Sequence, residues 1–270
     1  MANRSETTIA ELTVDLFEPE TGSPKGTLMF LHGAWVGGWI WEGFAPWFAD
    51  QGYACYVPTW RGHYGSKPVA DLGRVSMFDF LEDALAVARS VQPDAIIGES
   101  MGGLLAQKVA EAMPEIKACV LMNSAPAFMV PASPKLLRSQ FKYFGDLIGK
   151  KPNKPNIADY KALILNNVDE PEATQFYQRI CHESGRALME MSMGKVKVDP
   201  QKVKVPMYVV IGHKDAIIPL KAHRKTAALY DAEVAEYPEM SHHTFSEEGW
   251  EKVAAETLSW IEKKIAAKVA

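Results

Sequence analysis

The chain has 270 residues, 47% of them hydrophobic and 23% charged, so it can bury a core and fold as an ordinary globular protein. A net charge of −4 removes the electrostatic case for nucleic acid or an anionic membrane as the main partner. Residues 1–10 lack the apolar core of a signal peptide, and no run approaches the ~20 apolar residues that span a bilayer. Cys55, Cys119 and Cys181 are far apart, as in a reduced, cytoplasmic protein with buried thiols.

In chain order, residues 12–17 and 27–31 read as strands, the second almost continuously apolar and so expected near the sheet centre. Residues 41–50 read as a helix stopped at Gly52, and 53–57 as a strand running into Pro58. Residues 76–91 read as an amphipathic helix capped by Ser76, with Phe78, Leu81, Leu85 and Ala88 on one face. A short strand over 94–97 meets a helical pattern that runs from Gly103 through Leu104, Leu105 and Val109 to Met113, and 117–122 is another buried strand. The pattern resumes with strand 207–211, helix 221–230, strand 232–237 and a closing helix over 247–267. This alternation predicts an α/β fold, a mostly parallel sheet with helices on both faces. Between about 124 and 205, Pro126, Pro131, Pro134, Pro152, Pro155 and Pro171 separate helix-like pieces without a convincing strand. An insertion there sits at the C-terminal edge of the sheet, where open α/β sheets bind ligands, and it reads as a helical lid.

Gly98-Glu99-Ser100-Met101-Gly102 lies between the 94–97 strand and the following helix. A G-x-S-x-G turn in that setting presents a serine at a strained apex, and the flanking glycines let strand and helix approach. A serine hydroxyl needs a general base, an orienting acid and oxyanion donors to act as a nucleophile. Asp215, just past the 207–211 strand, emerges at the same sheet edge. The loop after the next strand offers His242 and His243, and neighbouring side chains in an extended segment point oppositely, so one of the two is the candidate base. Metal-ligand spacings, a dinucleotide fingerprint and a P-loop are all missing, so neither metal nor cofactor is expected.

Over nearly its full length the chain resembles serine hydrolases of the α/β-hydrolase superfamily. The resemblance rests on His32-Gly33-Ala34-Trp35, Gly98-Glu99-Ser100-Met101-Gly102-Gly103, Gly212-His213-Lys214-Asp215 and Ser241-His242. It implies catalysis by Ser100, Asp215 and His242, with backbone N–H groups of Ala34 and Met101 as oxyanion donors. His32 is then structural. The loop around His63 carries no assigned chemistry, because Thr59-Trp60 replaces the usual acidic residue, and His182, His213 and His223 are expected at the surface or in turns. The stretch from His32 to Trp41 also resembles plant methyl esterases and hydroxynitrile lyases. Gly33 and His243 stand where the lyases carry a threonine and a lysine, which argues for hydrolysis.

Trp35, Phe128, Met129 and Phe144 are candidates to line an apolar substrate pocket. The expectation is a helical lid at 124–205 over a hydrolase core of 1–123 and 206–270, cleaving small to medium apolar esters without a cofactor. Amide, thioester, lactone or carbon–carbon cleavage, cofactor-free dioxygenation and a small-molecule receptor share this fold and stay open.

Overall fold

Successive residues of the inner strands belong alternately to two apolar clusters, as the period-2 geometry of a strand buried on both faces requires. Met29 and Leu31 point to one cluster and Leu28 and Phe30 to the other; Cys119 and Leu121 oppose Val120 and Met122 in the same way. A computed structural model describes residues 2–130 and 134–269; Met1, Pro131 and Ala270 lie outside the described residues.

The strands are β1 (Asn3–Ile9), β2 (Leu12–Glu18), β3 (Thr27–Leu31), β4 (Ala54–Pro58), β5 (Ala95–Glu99), β6 (Ala118–Met122), the short β7 (Pro152–Asn153) and β8 (Glu183–Ser184), β9 (Met207–Gly212) and β10 (Glu233–Tyr237). Eight of them form one sheet in the order β1-β2-β4-β3-β5-β6-β9-β10. β1, β2 and β4 pair antiparallel, and every later pair is parallel. Thr27–Leu31 is thus flanked by strands on both sides near the centre, as its apolar run predicts.

Helices α2 (Met77–Val91), α3 (Ser100–Ala112) and α8 (Leu220–Leu229) cover one face through residues such as Phe80, Leu105 and Ala222. Helices α1 (Phe44–Asp50) and α9 (Trp250–Val269) cover the other through Phe44, Phe48, Val253 and Ile261. The chain between β6 and β9 holds α4 (Pro134–Ile148), α5 (Ile157–Leu163), α6 (Glu172–Arg179) and α7 (Gly185–Ser192), together with the β7–β8 ladder. No helix among the described residues is long and apolar enough to cross a membrane.

Three local expectations change. β1 is an additional edge strand; its polar, exposed sequence carries no alternation, and its hairpin turns on Ala10 and Glu11, both at positive φ, in place of the Asn-Gly pair that announces such turns. The segment between β6 and β9 includes one small antiparallel ladder, too short to have a period. The buried face of α2 is Met77, Phe80, Asp83, Ala84, Val87 and Ala88, whereas Phe78 is 51% exposed. Asp83 turns inward because Arg61 grips its carboxylate at 2.6 and 2.8 Å, an ion pair that hydropathy alone misreads as a surface face. Ser76 caps α2 as expected, in a reciprocal capping box with Asp79.

Candidate active site

Ser100 stands where β5 ends and α3 begins, at φ +51°, a left-handed conformation that costs a non-glycine residue about 1–3 kcal/mol. The turn is held by close approach on its inner side. A Cβ on Gly102 would run into the carbonyl oxygen of Leu31, so α3 can seat against β3 only with glycine there. This puts the serine at the C-terminal edge of the sheet, on the first turn of a helix whose leading N–H groups have no partner within the helix.

Two loops converge on that edge. Asp215 follows β9, and its Oδ1 accepts hydrogen bonds from the N–H groups of Ile217 and Ile218, both at 2.9 Å. His242 follows β10 and meets Asp215 Oδ2 through Nδ1 at 2.8 Å. His243 does not reach the aspartate; its ring packs against Phe176 and Phe245. Asn123, at the end of β6, ties the two loops together: its Oδ1 accepts from Gly212 N–H at 2.8 Å and its Nδ2 donates to the Ser241 and His242 carbonyls. Glu247 anchors the histidine loop from the other side by accepting from the Ser241 N–H and hydroxyl.

The second imidazole nitrogen has an unexpected neighbour. His242 Nε2 lies 3.1 Å from Glu99 Oε1, and both side chains are buried. Burial alone would lower the pKa of His242, but Asp215 and Glu99, one carboxylate at each nitrogen, reverse this and raise it to about 10. Burial raises the Glu99 carboxyl, and the imidazole only partly offsets it. Burial would likewise raise Asp215, yet His242 and His223 hold it well below the ordinary carboxylate range. Among the described residues, the Ser100 hydroxyl forms no hydrogen bond with His242.

Glu99 also packs on the loop after β3. A Cβ on Gly33 would strike Glu99 Oε2, so this carboxylate can lie across the loop only because residue 33 is glycine. Ala34 and Trp35 line a cavity of about 10 Å³ beside Ser100, together with Val36, Glu99, Tyr160, Ile164, His242 and His243. That is about the room of one water. Met101 is buried on the first turn of α3, directly after Ser100. A larger cavity of about 430 Å³, lined by Arg89, Asp94 and Lys117 among others, opens at the opposite edge of the sheet, away from this chemistry.

The structure therefore brings Ser100, Asp215, His242, Ala34, Met101 and Trp35 together. It does not bring Phe128, Met129 or Phe144 to the cavity. Met129 is 71% and Phe144 52% exposed, and Phe128 stacks under the Lys225 ammonium at 4.1 Å. Tyr160 of α5 and Ile164 close over Ser100 instead, while Phe144 on α4 faces outward. His32 is structural: its Nε2 accepts from Trp60 N–H at 3.2 Å, its Nδ1 donates to the Gly33 carbonyl at 2.8 Å, and burial beside His63 lowers it to about 3. His182 is exposed and His213 pairs with Glu236 near the surface. His223 is a correction, being 1% exposed with Nε2 3.2 Å from Asp215, because α8 folds back over the Asp215 loop. Asn123, Glu99 and Tyr160 also belong to this site and are not among the residues expected from the sequence. The position of Glu99 inside the pentapeptide was the one local signal available.

The profile of the alpha/beta hydrolase family matches residues 28–256. A caffeoylshikimate esterase from Arabidopsis thaliana is 24% identical over 287 residues, covering 96% of this chain and 84% of that protein. Among solved structures, a putative aryl esterase from Burkholderia cenocepacia superposes with a TM-score of 0.73 at 17% identity, covering 98% of this chain and 100% of the other. The monoacylglycerol lipase of Paleococcus ferrophilus gives 0.71 at 19% identity, covering 98% and 99%.

Proposed function

The chain belongs to the alpha/beta hydrolase family, and on that footing we propose that it is a serine hydrolase of carboxylic esters with small to medium apolar parts. One observation carries the reading: Ser100 sits at the strained strand–helix apex on the sheet edge where the Asp215–His242 pair closes at 2.8 Å. The esterase and lipase relatives support ester hydrolysis as the reaction class.

In the proposed cycle, neutral His242 takes the proton of Ser100 at Nε2 while Nδ1–H donates to Asp215. The alkoxide oxygen attacks the ester carbonyl, and the Ala34 and Met101 N–H groups receive the developing oxyanion. The tetrahedral adduct collapses to an acyl-enzyme as His242 returns the proton to the leaving alcohol. Water, deprotonated by the same nitrogen, then releases the acid. Before the first step, Nε2 has to leave Glu99 and turn to Ser100. Residues 124–205 serve as a helical lid over a core of 1–123 and 206–270. Tyr160 and Ile164 on that lid must withdraw, because the cavity as it stands is too small for an ester.

The test is hydrolysis of p-nitrophenyl esters from acetate to decanoate by the wild type and Ser100→Ala. The reading expects a loss of roughly 10⁴-fold or more in the mutant, with the best chain length sizing the acyl site. A second reading, a small-molecule receptor that retains these residues, draws on the contact of His242 with Glu99. Absent turnover across the whole ester series would favour it.

A further inference from the structure

Trp35 is the second residue of this site held in a left-handed conformation, at φ +66°, and the segment between β6 and β9 holds both ends of it. Its N–H donates to Glu183 Oε2 at 3.3 Å, and its carbonyl accepts from Cys181 N–H at 2.8 Å. Glu183 is 0% exposed. Its Oε1 accepts from the Ser184 N–H at 2.6 Å, and its Oε2 also faces His63 Nε2 at 3.2 Å. The other ring nitrogen of His63 donates to the Arg61 carbonyl at 2.9 Å. With an acceptor at each nitrogen, the buried ring is an imidazolium that neutralises Glu183.

An apolar contact would fasten this segment to the core at lower cost than a buried ion pair. What an apolar contact cannot do is accept a hydrogen bond from the Trp35 backbone N–H, which lies beyond the end of β3 and has no ladder partner. The ion pair therefore has a specific object, the peptide that follows Ala34.

We propose that Glu183 and His63 are positioning residues for the oxyanion loop: the carboxylate, held by the imidazolium, fixes the Trp35 amide and so aims the Ala34 N–H beside Ser100. This rests on the reading of Ala34 as an oxyanion donor. Its consequence is that the oxyanion site is complete only while the Cys181–Ser184 segment is docked, so that whatever lifts that segment also switches off transition-state binding.

The experiment compares wild type, Glu183→Ala, Glu183→Gln and the paired change Glu183→Leu with His63→Phe, which replaces both charges by apolar groups and so protects the fold. Steady-state hydrolysis of p-nitrophenyl acetate and hydrogen exchange of residues 33–37 are measured on each. Misaimed oxyanion donors act on the transition state, so kcat should fall by ~10–100-fold in Glu183→Ala and in the paired variant, with KM within about twofold. Glu183→Gln keeps an oxygen for the Trp35 amide and should lie between. Exchange at 33–37 should quicken in the two variants that lack the acceptor. A paired variant that melts like the wild type and keeps its kcat overturns the proposal, whether or not the loop exchanges faster. Unchanged exchange overturns it even if the wild type shows no Ser100-dependent turnover, the result that would separately defeat the esterase reading.

Discussion

Glu99 decides how the site responds to pH. With Asp215 at Nδ1 and Glu99 at Nε2, His242 rests as an imidazolium with a pKa raised to about 10, and an imidazolium cannot take the Ser100 proton. Lowering the pH deepens that protonation and raising it relieves it. The expected kcat/KM therefore climbs with pH through the neutral range and levels off only near 10. Glu99→Gln removes the carboxyl group at Nε2, so its acid limb should move down and its activity at pH 7 should rise severalfold relative to its own plateau. A pH–rate profile of the two proteins checks this, and coincident limbs would show that Glu99 leaves the imidazole alone. At this scale the sequence was legible where a residue type sits in a fixed pattern, as with Ser100 and Asp215. It was silent on Glu99 because the variable position of the pentapeptide does not say where its side chain turns. It was also silent on Asn123 and Glu183, which come from other segments, and it put His223 at the surface because nothing local shows α8 folding back over the Asp215 loop.

Elements explain why the serine is where it is. α3 and β3 approach so closely that the Cβ of an alanine at 102 would meet the Leu31 backbone oxygen, which cannot swing aside as a flexible side chain would. Alanine is the better helix former by about 1 kcal/mol, whereas overpacking typically costs ~1–3 kcal/mol. Overpacking should win, so Gly102→Ala is expected to lower the midpoint of urea unfolding and to reduce hydrolysis by displacing the turn. An unchanged midpoint would mean that helix and strand separate freely. The regular elements were readable because their buried residues form apolar runs, as in β3, β6 and β9, and because Ser76 marks the start of α2. What escaped was the polar edge strand β1, which has no apolar period, and the exposed apolar residues of α4, whose helical spacing looks the same as that of residues facing a core.

For the whole molecule, the same buried charges couple folding to pH. His242 binds its proton more tightly in the folded chain than in the unfolded one, where a histidine titrates near 6.5. The stabilisation this gives is fully present below about 6.5 and is lost as pH rises through about 10. His63, raised well above the ordinary value by Glu183 despite its burial, acts in the same direction. Asp215 works oppositely, its contribution being present above the ordinary carboxylate range and lost in strong acid. Melting temperatures should therefore decline between about pH 6.5 and 10, and His242→Gln should flatten part of that decline. Identical slopes for the two proteins would mean that His242 titrates alike in the folded and unfolded chain. The sheet supplies the common edge on which all this depends, since β3, β5, β9 and β10 run parallel and deliver Ala34, Ser100, Asp215 and His242 at their C-terminal ends.

Catalysis through Ser100 requires a covalent acyl-enzyme on its hydroxyl. The most direct measurement is to quench the protein with acid during turnover of p-nitrophenyl acetate and to locate the acetyl group by peptide mass spectrometry. Acetylation of Ser100 should accumulate in the wild type and be missing from Ser100→Ala. Steady turnover with no adduct at Ser100, or the same adduct in the mutant on another residue, would contradict it.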